Sequence, residues 1–128
     1  REGQFEQSFS SPTTVMSATI TPKFNTSKIL IQNSTTSCGT RDSGTFYELY
    51  INRNSTRIHT IGTYIGLSVS VDVCFPTMCY MDSPGTTSAV TYTMIAHRKQ
   101  GSANCYFNLD NGGSISHNAV LMLMEVSA

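Results

Sequence analysis

The chain has 128 residues, which lies within the usual size range of one folded domain. Lysine, arginine, aspartate and glutamate make up 12% of the residues, against about 25% in an ordinary soluble domain. Eight basic residues balance eight acidic ones and form no basic block, which argues against electrostatic capture of nucleic acid or of an anionic membrane. No apolar run approaches the ~20 residues of a membrane-spanning helix.

Alternating apolar and polar residues predict β-strands along most of the chain, because successive side chains of a strand point to opposite faces. In chain order, the predicted strands are 15–21, 28–32, 47–52, 67–75, 90–97, 104–109 and 119–126. Turn-forming residues separate them, for example Asp82-Ser83-Pro84-Gly85 and Asn111-Gly112-Gly113. No segment combines helical apolar spacing with capping residues at both ends. The sequence therefore predicts an all-β fold, an antiparallel, jelly-roll-like β-sandwich of about eight strands.

The domain organisation is simple. We assign residues 13–128 to a single β-sandwich domain and residues 1–12 to an N-terminal extension or linker. The chain begins with Arg1 rather than methionine, so we expect it to be a processed or excised part of a longer protein.

The last predicted strand, 119–126, is apolar on both faces, whereas each sheet of a small antiparallel sandwich normally has one face exposed to solvent. One interpretation is a central strand covered by a loop or by the segment 5–9. The other, which we favour, is a subunit interface in which either the two methionines or the two leucines face a neighbour, since methionine adapts to irregular contacts. The candidate interface residues are Leu121, Met122, Leu123 and Met124.

Motifs of catalysis and of metal binding are missing from the sequence. His59, His97 and His117 lie far apart and have no cysteine at metal-ligand spacing, so we expect no metal and no other cofactor. The nucleophile elbow G-x-S-x-G and the phosphate-binding motifs GxxxxGK[ST] and GxGxxG do not occur.

Carboxylates are the remaining candidates for catalysis, since glycoside hydrolysis needs two acids that face one cleft. Five acids, scattered along the chain, are candidates for such a pair: Glu48, Asp72, Asp82, Asp110 and Glu125. Asp82 and Asp110 each precede turn residues, where an aspartate hydrogen-bonds the backbone. The sequence therefore offers a structural explanation for these acids, and we expect no enzyme.

Four cysteines, Cys38, Cys74, Cys79 and Cys105, allow three disulfide pairings if all are oxidised. Cys105 shares a strand face with Phe107 and Leu109, which predicts a buried thiol. A disulfide from Cys74 to a neighbouring strand or to Cys38 stays open. Free thiols are favoured if the protein is assembled in a cytoplasm.

Three parts of the chain resemble a known family. They are 17–23 with 26–31 (SATITPK and TSKILI), 80–92 (YMDSPGTTSAVTY) and 121–126 (LMLMEV). These segments are similar to segments of β-structured domains in phage tail fibres and other virion appendages, especially of phages of cyanobacteria and other aquatic bacteria. The sequence departs from the family pattern at Cys79, Met81 and Gly85.

The resemblance implies a non-enzymatic virion domain, assembled in the host cytoplasm and exposed outside the cell, that serves in attachment to a host surface glycan. Its implied partners are further copies of itself, commonly in a trimer, other virion proteins and a host surface polysaccharide. Alternatives are a capsid decoration or head-fibre protein with an assembly role, a cellular carbohydrate-binding module, and a virion enzyme that cleaves glycan.

Candidate ligand-binding residues come from a turn-rich stretch between two predicted strands, because binding residues concentrate in loops. They are Asn54, Arg57 and Tyr64. The alternative is an ordinary solvated loop. Tyrosines with neighbouring asparagines on the polar strand faces, such as Tyr50 and Tyr106, form a mixture that is common in recognition surfaces and also on plain β-sheets.

Overall fold

The computed structural model of the chain describes residues 5–34, 38–40, 44–65, 77–107 and 119–127. Within these ranges every regular element is a β-strand and every strand pair is antiparallel. The predicted all-β, antiparallel class is therefore confirmed. The predicted strand 67–75 and the predicted turn at 111–113 lie outside the described residues.

Ten strands occur in the described part of the chain. They are β1 (Phe5–Gln7), β2 (Thr13–Ile20), β3 (Lys28–Ser34), β4 (Cys38–Thr40), β5 (Phe46–Arg53), β6 (Thr56–Ile65), β7 (Met78–Asp82), β8 (Val90–Gln100), β9 (Cys105–Phe107) and β10 (Val120–Val126). Seven of them have five residues or more and form two sheets, with the orders β2-β8-β5-β6 and β10-β3-β7. The short strands form a third sheet with the order β1-β9-β4.

The two larger sheets share one hydrophobic core, as in a β-sandwich. The four-stranded sheet contributes Tyr47, Leu49, Ile51, Tyr92 and Met94, and the three-stranded sheet contributes Ile29 and Ile31. Each of these side chains is at most 1% exposed. Because they occupy alternate positions of their strands, the predicted period of two places them all on the inner faces.

Strands β6 and β7 do not follow the alternating pattern, and the sequence did not predict them. The register between β5 and β6 shifts three times, between Tyr47 and Leu49, between Leu49 and Tyr50, and between Ile51 and Asn52. Such irregularities break the period of two in β6. In β7 the outward positions Cys79 and Met81 are apolar as well, so no alternation marks the strand.

The N-terminal segment joins the fold. Strand β1 pairs with β9, and Phe9 is buried in the core at 1% exposure. The backbone N–H of Arg98 donates to the carbonyl oxygen of Phe9 at 2.8 Å. Residues 5–9 are thus held by backbone hydrogen bonds to β8 and β9.

Candidate functional site

A group of polar side chains gathers on the outer face of the four-stranded sheet, the face turned away from the core. We call it the Glu48 cluster, and it consists of Glu48, Tyr50, Arg57, Thr60, His97 and Lys99. Strand pairing brings the members together: Glu48 lies opposite His97 in the β5–β8 pair, and Tyr50 lies opposite Thr60 in the β5–β6 pair. Cross-strand neighbours of this kind share one face of a sheet.

Glu48 is the centre of the cluster, and its side chain is only 6% exposed. The Arg57 guanidinium donates to Glu48 Oε2 at 3.1 Å and to Thr60 Oγ1 at 2.8 Å. On the other carboxylate oxygen, Oε1, His97 Nδ1 lies at 3.4 Å and Lys99 Nζ at 3.5 Å. Arg57 also lies over the Tyr50 ring, 4.1 Å from its centroid, in a cation–π contact.

The electrostatics of Glu48 follow from these neighbours. Burial disfavours the charged carboxylate and by itself raises the pKa. The hydrogen bond and charge of Arg57 oppose burial, and His97 and Lys99 add to them, so that the pKa of Glu48 lies below its ordinary value of 4.5. Burial, together with the charge of the same carboxylate, raises the pKa of the Tyr50 hydroxyl.

A carboxylate of this kind is a weak base at neutral pH, because its ionised form is strongly stabilised. Its chemical use is therefore positional. It fixes three nitrogen-bearing side chains at one place on the outer face of the sheet. Glu48 and Tyr50 are buried there, at 4% and 8% exposure, whereas Arg57 and Lys99 are about two-fifths exposed, at 41% and 39%.

The structure places the three predicted ligand-binding residues in and beside strand β6. Asn54 occupies the turn between β5 and β6 with a positive φ of 53°, which asparagine tolerates better than most residues. The prediction of a loop was wrong for Arg57 and Tyr64, since both lie within β6. The Tyr64 side chain lies outside the described part of the structure.

Asn54 has a structural role at its hairpin. Its backbone N–H donates to the Thr91 carbonyl oxygen at 2.7 Å, and its side-chain Oδ1 accepts from the Thr91 N–H at 3.1 Å. The side chain thereby continues the β5–β8 ladder past the end of β5. Of the predicted trio, Arg57 is the residue that the structure joins to a cluster of functional groups.

A second acid, Asp82, lies between the two sheets in a group that we call the Asp82 clamp (Arg53, Asp82 and Tyr92). Arg53 Nη1 lies 3.1 Å from both carboxylate oxygens, and the Tyr92 hydroxyl donates to Oδ2 at 2.7 Å. Burial, the hydrogen bond to Asp82 and the charge of Asp82 raise the pKa of Tyr92 well above its ordinary value. The clamp ties β7 to β5 and β8.

The described acids do not form a pair of the glycosidase type. Glu48 lies on the outer face of the four-stranded sheet, whereas Asp82 lies on the inner side and is held by Arg53 and Tyr92. Glu125 accepts a hydrogen bond from the Lys23 backbone N–H at 2.7 Å. Asp72 and Asp110 lie outside the described residues.

The outer face of the three-stranded sheet carries exposed apolar side chains on β7 and β10, and we call it the methionine face. Its exposed members are Met81, Val120, Met122, Met124 and Val126. Met122 and Met124 are 40% and 47% exposed. The register separates the four candidate interface residues: Leu121 and Leu123 occupy the alternate positions of β10 and pack against the core instead. Only the methionine alternative of the predicted interface fits this arrangement.

A cavity of about 410 Å³ opens at one end of the methionine face, where β3, β7 and β10 meet. Met122 and Val120 line it on one side, and Gln32 and Cys79 line it on the other. The Gln32 amide lies 3.9 Å from the Cys79 sulfur. The cavity is thus continuous with the methionine face and has a polar wall of its own.

The histidines and cysteines have separate surroundings. His59 stacks on Tyr80, with ring centroids 4.4 Å apart. Cys79 is an exposed free thiol and Cys105 a buried one, as the face shared with Phe107 predicts. Burial raises the pKa of the Cys105 thiol to about 12, which makes it unreactive at neutral pH. In the described ranges no group of three or more histidine, cysteine or acidic side chains is placed to hold a metal.

Comparisons with known proteins add no family. No protein-family model and no curated protein sequence matches the chain. In the part of the chain that the structure describes, no helix has the length and apolar character needed to cross a membrane.

Of the members of the Glu48 cluster, Arg57 is the one that the sequence names as a candidate ligand-binding residue, and the sequence does not predict that the others meet at one site. The signal was present in part, because Glu48 and Tyr50 share one strand face and His97 and Lys99 share another. What the sequence does not contain is the register that places Glu48 opposite His97, and that register creates the cluster.

Proposed function

We propose that the chain is a structural domain of a virion, in a tail fibre or related appendage, that assembles with further copies of itself and attaches to a host surface glycan. The observation that carries this proposal is the methionine face. A sheet face with exposed Met81, Met122 and Met124 is unusual in a protein that acts as a monomer, because contiguous exposed apolar patches mark interaction sites.

The face has the composition of an assembly surface. Methionine is enriched at the centres of protein interfaces and packs against irregular partners. Leu121 and Leu123 pack against the core, whereas Met122 and Met124 are exposed and do not belong to the core that the described residues form. A trimer is the assembly that the resemblance to appendage domains implies, and these surfaces are its proposed contacts.

The segments that carry the resemblance support the same proposal. Residues 28–31 lie in β3, residues 80–82 in β7 and residues 121–126 in β10. These three strands are the ones that form the sheet beneath the methionine face. The remaining strand residues of the same segments, 17–20 and 90–92, lie in β2 and β8 of the other sheet. The shared motifs thus belong to the scaffold of both sheets, and part of that scaffold lies beneath the proposed assembly surface.

The proposed glycan-binding role is supported by the outer face of the other sheet. There the Glu48 cluster presents Arg57 and Lys99 to solvent. The surrounding strands carry hydroxyl side chains, among them Thr19 and Thr91, whose oxygens lie 2.9 Å apart. Polar groups fixed on a rigid sheet suit hydrogen bonding to sugar hydroxyls.

We also propose the finer fold, a jelly-roll-like sandwich of about eight strands. The chain passes repeatedly between the two larger sheets: β2 to β3, β6 to β7 and β7 to β8 each change sheet. Connections that cross between sheets are typical of Greek-key and jelly-roll proteins. A solution structure that gave the strand order of the whole chain would test this proposal.

Location in the particle is the experiment that tests the proposed function. A virion carrying the chain would be imaged by cryo-EM, with an antibody fragment against the domain as a marker. Density at the fibres or the tail tip is the expected result. Density on the capsid would support the decoration alternative and contradict attachment. Virions to which the antibody fragment does not bind at any position would contradict a structural role.

Adsorption supplies the functional half of the test. The free domain should compete with virions for the host surface and lower adsorption. A decoration protein would bind empty capsids and leave adsorption unchanged. A cellular carbohydrate-binding module would bind glycan but would not be found in the particle.

A further inference from the structure

We propose that the Glu48 cluster binds the carboxylate of an acidic glycan, a polymer that contains uronic acid, through Arg57 and Lys99. The inference rests on the proposed attachment role and adds to it the class of glycan and the residues that select it. Neutral polysaccharides lack the anionic group that these side chains would recognise.

The described side chains of the Glu48 cluster carry more positive than negative charge. Arg57 and Lys99 both lie within 3.5 Å of the one carboxylate of Glu48, and His97 contributes a ring nitrogen to the same oxygen as Lys99. Two cationic groups therefore share one anion. Among the side chains that the structure describes, this pairing leaves a local positive surplus that a ligand anion would balance.

Arg57 and Lys99 have N–H donors that no described protein group accepts. Arg57 has five N–H donors, and its bonds to Glu48 and Thr60 both come from Nη2. Within the described residues, the other guanidinium nitrogens of Arg57 have no hydrogen-bond partner. Among the described side chains, the Lys99 ammonium is paired with Glu48 at 3.5 Å, which leaves two of its three N–H donors for a ligand. A planar carboxylate matches the fork of the guanidinium.

The protein holds the Arg57 guanidinium in place before a ligand binds. Glu48 holds Arg57 by a hydrogen bond, and Tyr50 supports the guanidinium from below at 4.1 Å. A side chain fixed in this way loses less entropy on binding than a free surface arginine does. The support comes from adjacent strands of one sheet, so the cationic groups keep their spacing.

The size of the cluster favours a glycan carboxylate over a nucleic acid. A protein that binds DNA tightly neutralises about 6–10 phosphates with separate basic side chains. The cluster offers Arg57 and Lys99 alone, enough for one sugar acid at a time. Repetition of the site in an oligomer would let a polymer of acidic sugars bind several copies at once, which raises avidity.

The test compares ligands that differ only in the carboxylate. Polygalacturonate and its fully methyl-esterified form would each be titrated into the purified domain by calorimetry at low salt. Alginate serves as a second polyuronate and dextran as a neutral polymer. We expect both polyuronates to bind, the esterified form and dextran to bind at least roughly tenfold more weakly, and the affinity to fall with added salt.

Variants assign the binding to the cluster. Arg57→Gln and Lys99→Gln should each weaken polygalacturonate binding by roughly tenfold. Lys23→Gln removes one positive charge from an exposed residue of the β2–β3 loop and is the matched control, with unchanged binding expected. Arg57→Lys retains the charge without the fork and should lie between the wild type and Arg57→Gln. If Arg57→Gln unfolds the domain, the binding measured for Lys99→Gln decides whether the cluster is the site, since the Lys99 side chain is 39% exposed and its loss should not unfold the domain.

The inference is overturned by equal binding of the free and esterified polymers, by no polyuronate binding, or by variants of Arg57 and Lys99 that bind as well as Lys23→Gln does. Its failure is distinguishable from failure of the proposed function. A domain that still blocks virion adsorption but ignores polyuronates retains the attachment role with another glycan class. A domain that blocks no adsorption contradicts the attachment role itself.

Discussion

The Asp82 clamp and the Glu48 cluster combine the same three kinds of residue, an acid, an arginine and a tyrosine, on opposite sides of the four-stranded sheet. In the clamp, one arginine meets one carboxylate, and the Tyr92 hydroxyl donates to Asp82 at 2.7 Å. In the cluster, Arg57 and Lys99 share Glu48, and the tyrosine offers its ring face. Among the described residues, the clamp pairs one cation with one anion, whereas the cluster pairs two cations with one anion and leaves both cations about two-fifths exposed.

This difference separates stability from recognition. Inside the sandwich, an unpaired charge would be costly, so each group of the clamp has its partner. In the cluster, Arg57 and Lys99 are about two-fifths exposed, so water solvates the donors that the described protein groups leave unpaired. The same side-chain chemistry therefore stabilises the fold in one place and is available to a ligand in the other.

The largest expected effect comes from breaking the clamp with Asp82→Ala. The change leaves the Tyr92 hydroxyl and the Arg53 guanidinium without their acceptor, and should lower the free energy of unfolding by about 3 kcal/mol. Arg53 is 31% exposed, so water recovers part of the loss. Urea unfolding measures the change. The control Thr87→Ala, in the exposed turn before β8, should stay within about 0.5 kcal/mol, and an equally small loss for Asp82→Ala would contradict the role of the clamp.

A smaller effect is expected from Tyr92→Phe, which removes one hydrogen bond and keeps the ring in the core. The free energy of unfolding should fall by about 1–1.5 kcal/mol. Combining the change with Asp82→Ala should add little, because both variants remove the same bond. Additive losses in the double variant would mean that the two residues act independently.

The smallest effect on stability is expected from Glu48→Gln, since the partners Arg57 and Lys99 are about two-fifths exposed. We expect a loss of about 1 kcal/mol at neutral pH. Folding lowers the pKa of Glu48 below 4.5, so its ionic contribution is present above that pH and is lost as the pH falls through the folded value.

Unfolding measured from pH 7 down to about pH 3 tests this sign. The difference in stability between the wild type and Glu48→Gln should shrink as the pH falls below 4.5, the ordinary value of the carboxyl. A difference that stays constant across this range would show that Glu48 stabilises the fold by packing and not by its charge.

The sequence predicted the parts of the fold in which side chains alternate by face. The core strands β5 and β8 follow this rule in their sequence, as Tyr47, Leu49 and Ile51 illustrate by pointing inward. The sequence did not predict strand β6, because three register shifts against β5 break the alternation of apolar and polar residues. It did not predict strand β7, because the outward Met81 is as apolar as the inward Met78.

The sites were less predictable than the strands, and for a physical reason. Sequence reasoning explained Asp82 by its position before a turn, but the carboxylate reaches across the sandwich to Arg53 and Tyr92. Likewise, Glu48 and His97 are 49 residues apart in the chain and meet through strand register. Contacts between distant strands depend on pairing, which alternation alone does not specify.

Assembly through the methionine face is the central claim, and light scattering on the purified chain tests it most directly. We predict an oligomer of about 42 kDa, three times the 14.0 kDa chain, that dissociates in the double variant Met122→Ser and Met124→Ser. The control Phe24→Ser alters an exposed apolar residue outside the face and should leave the mass unchanged. A stable 14.0 kDa monomer of the unaltered chain, or an oligomer indifferent to the methionine substitutions, would contradict the account.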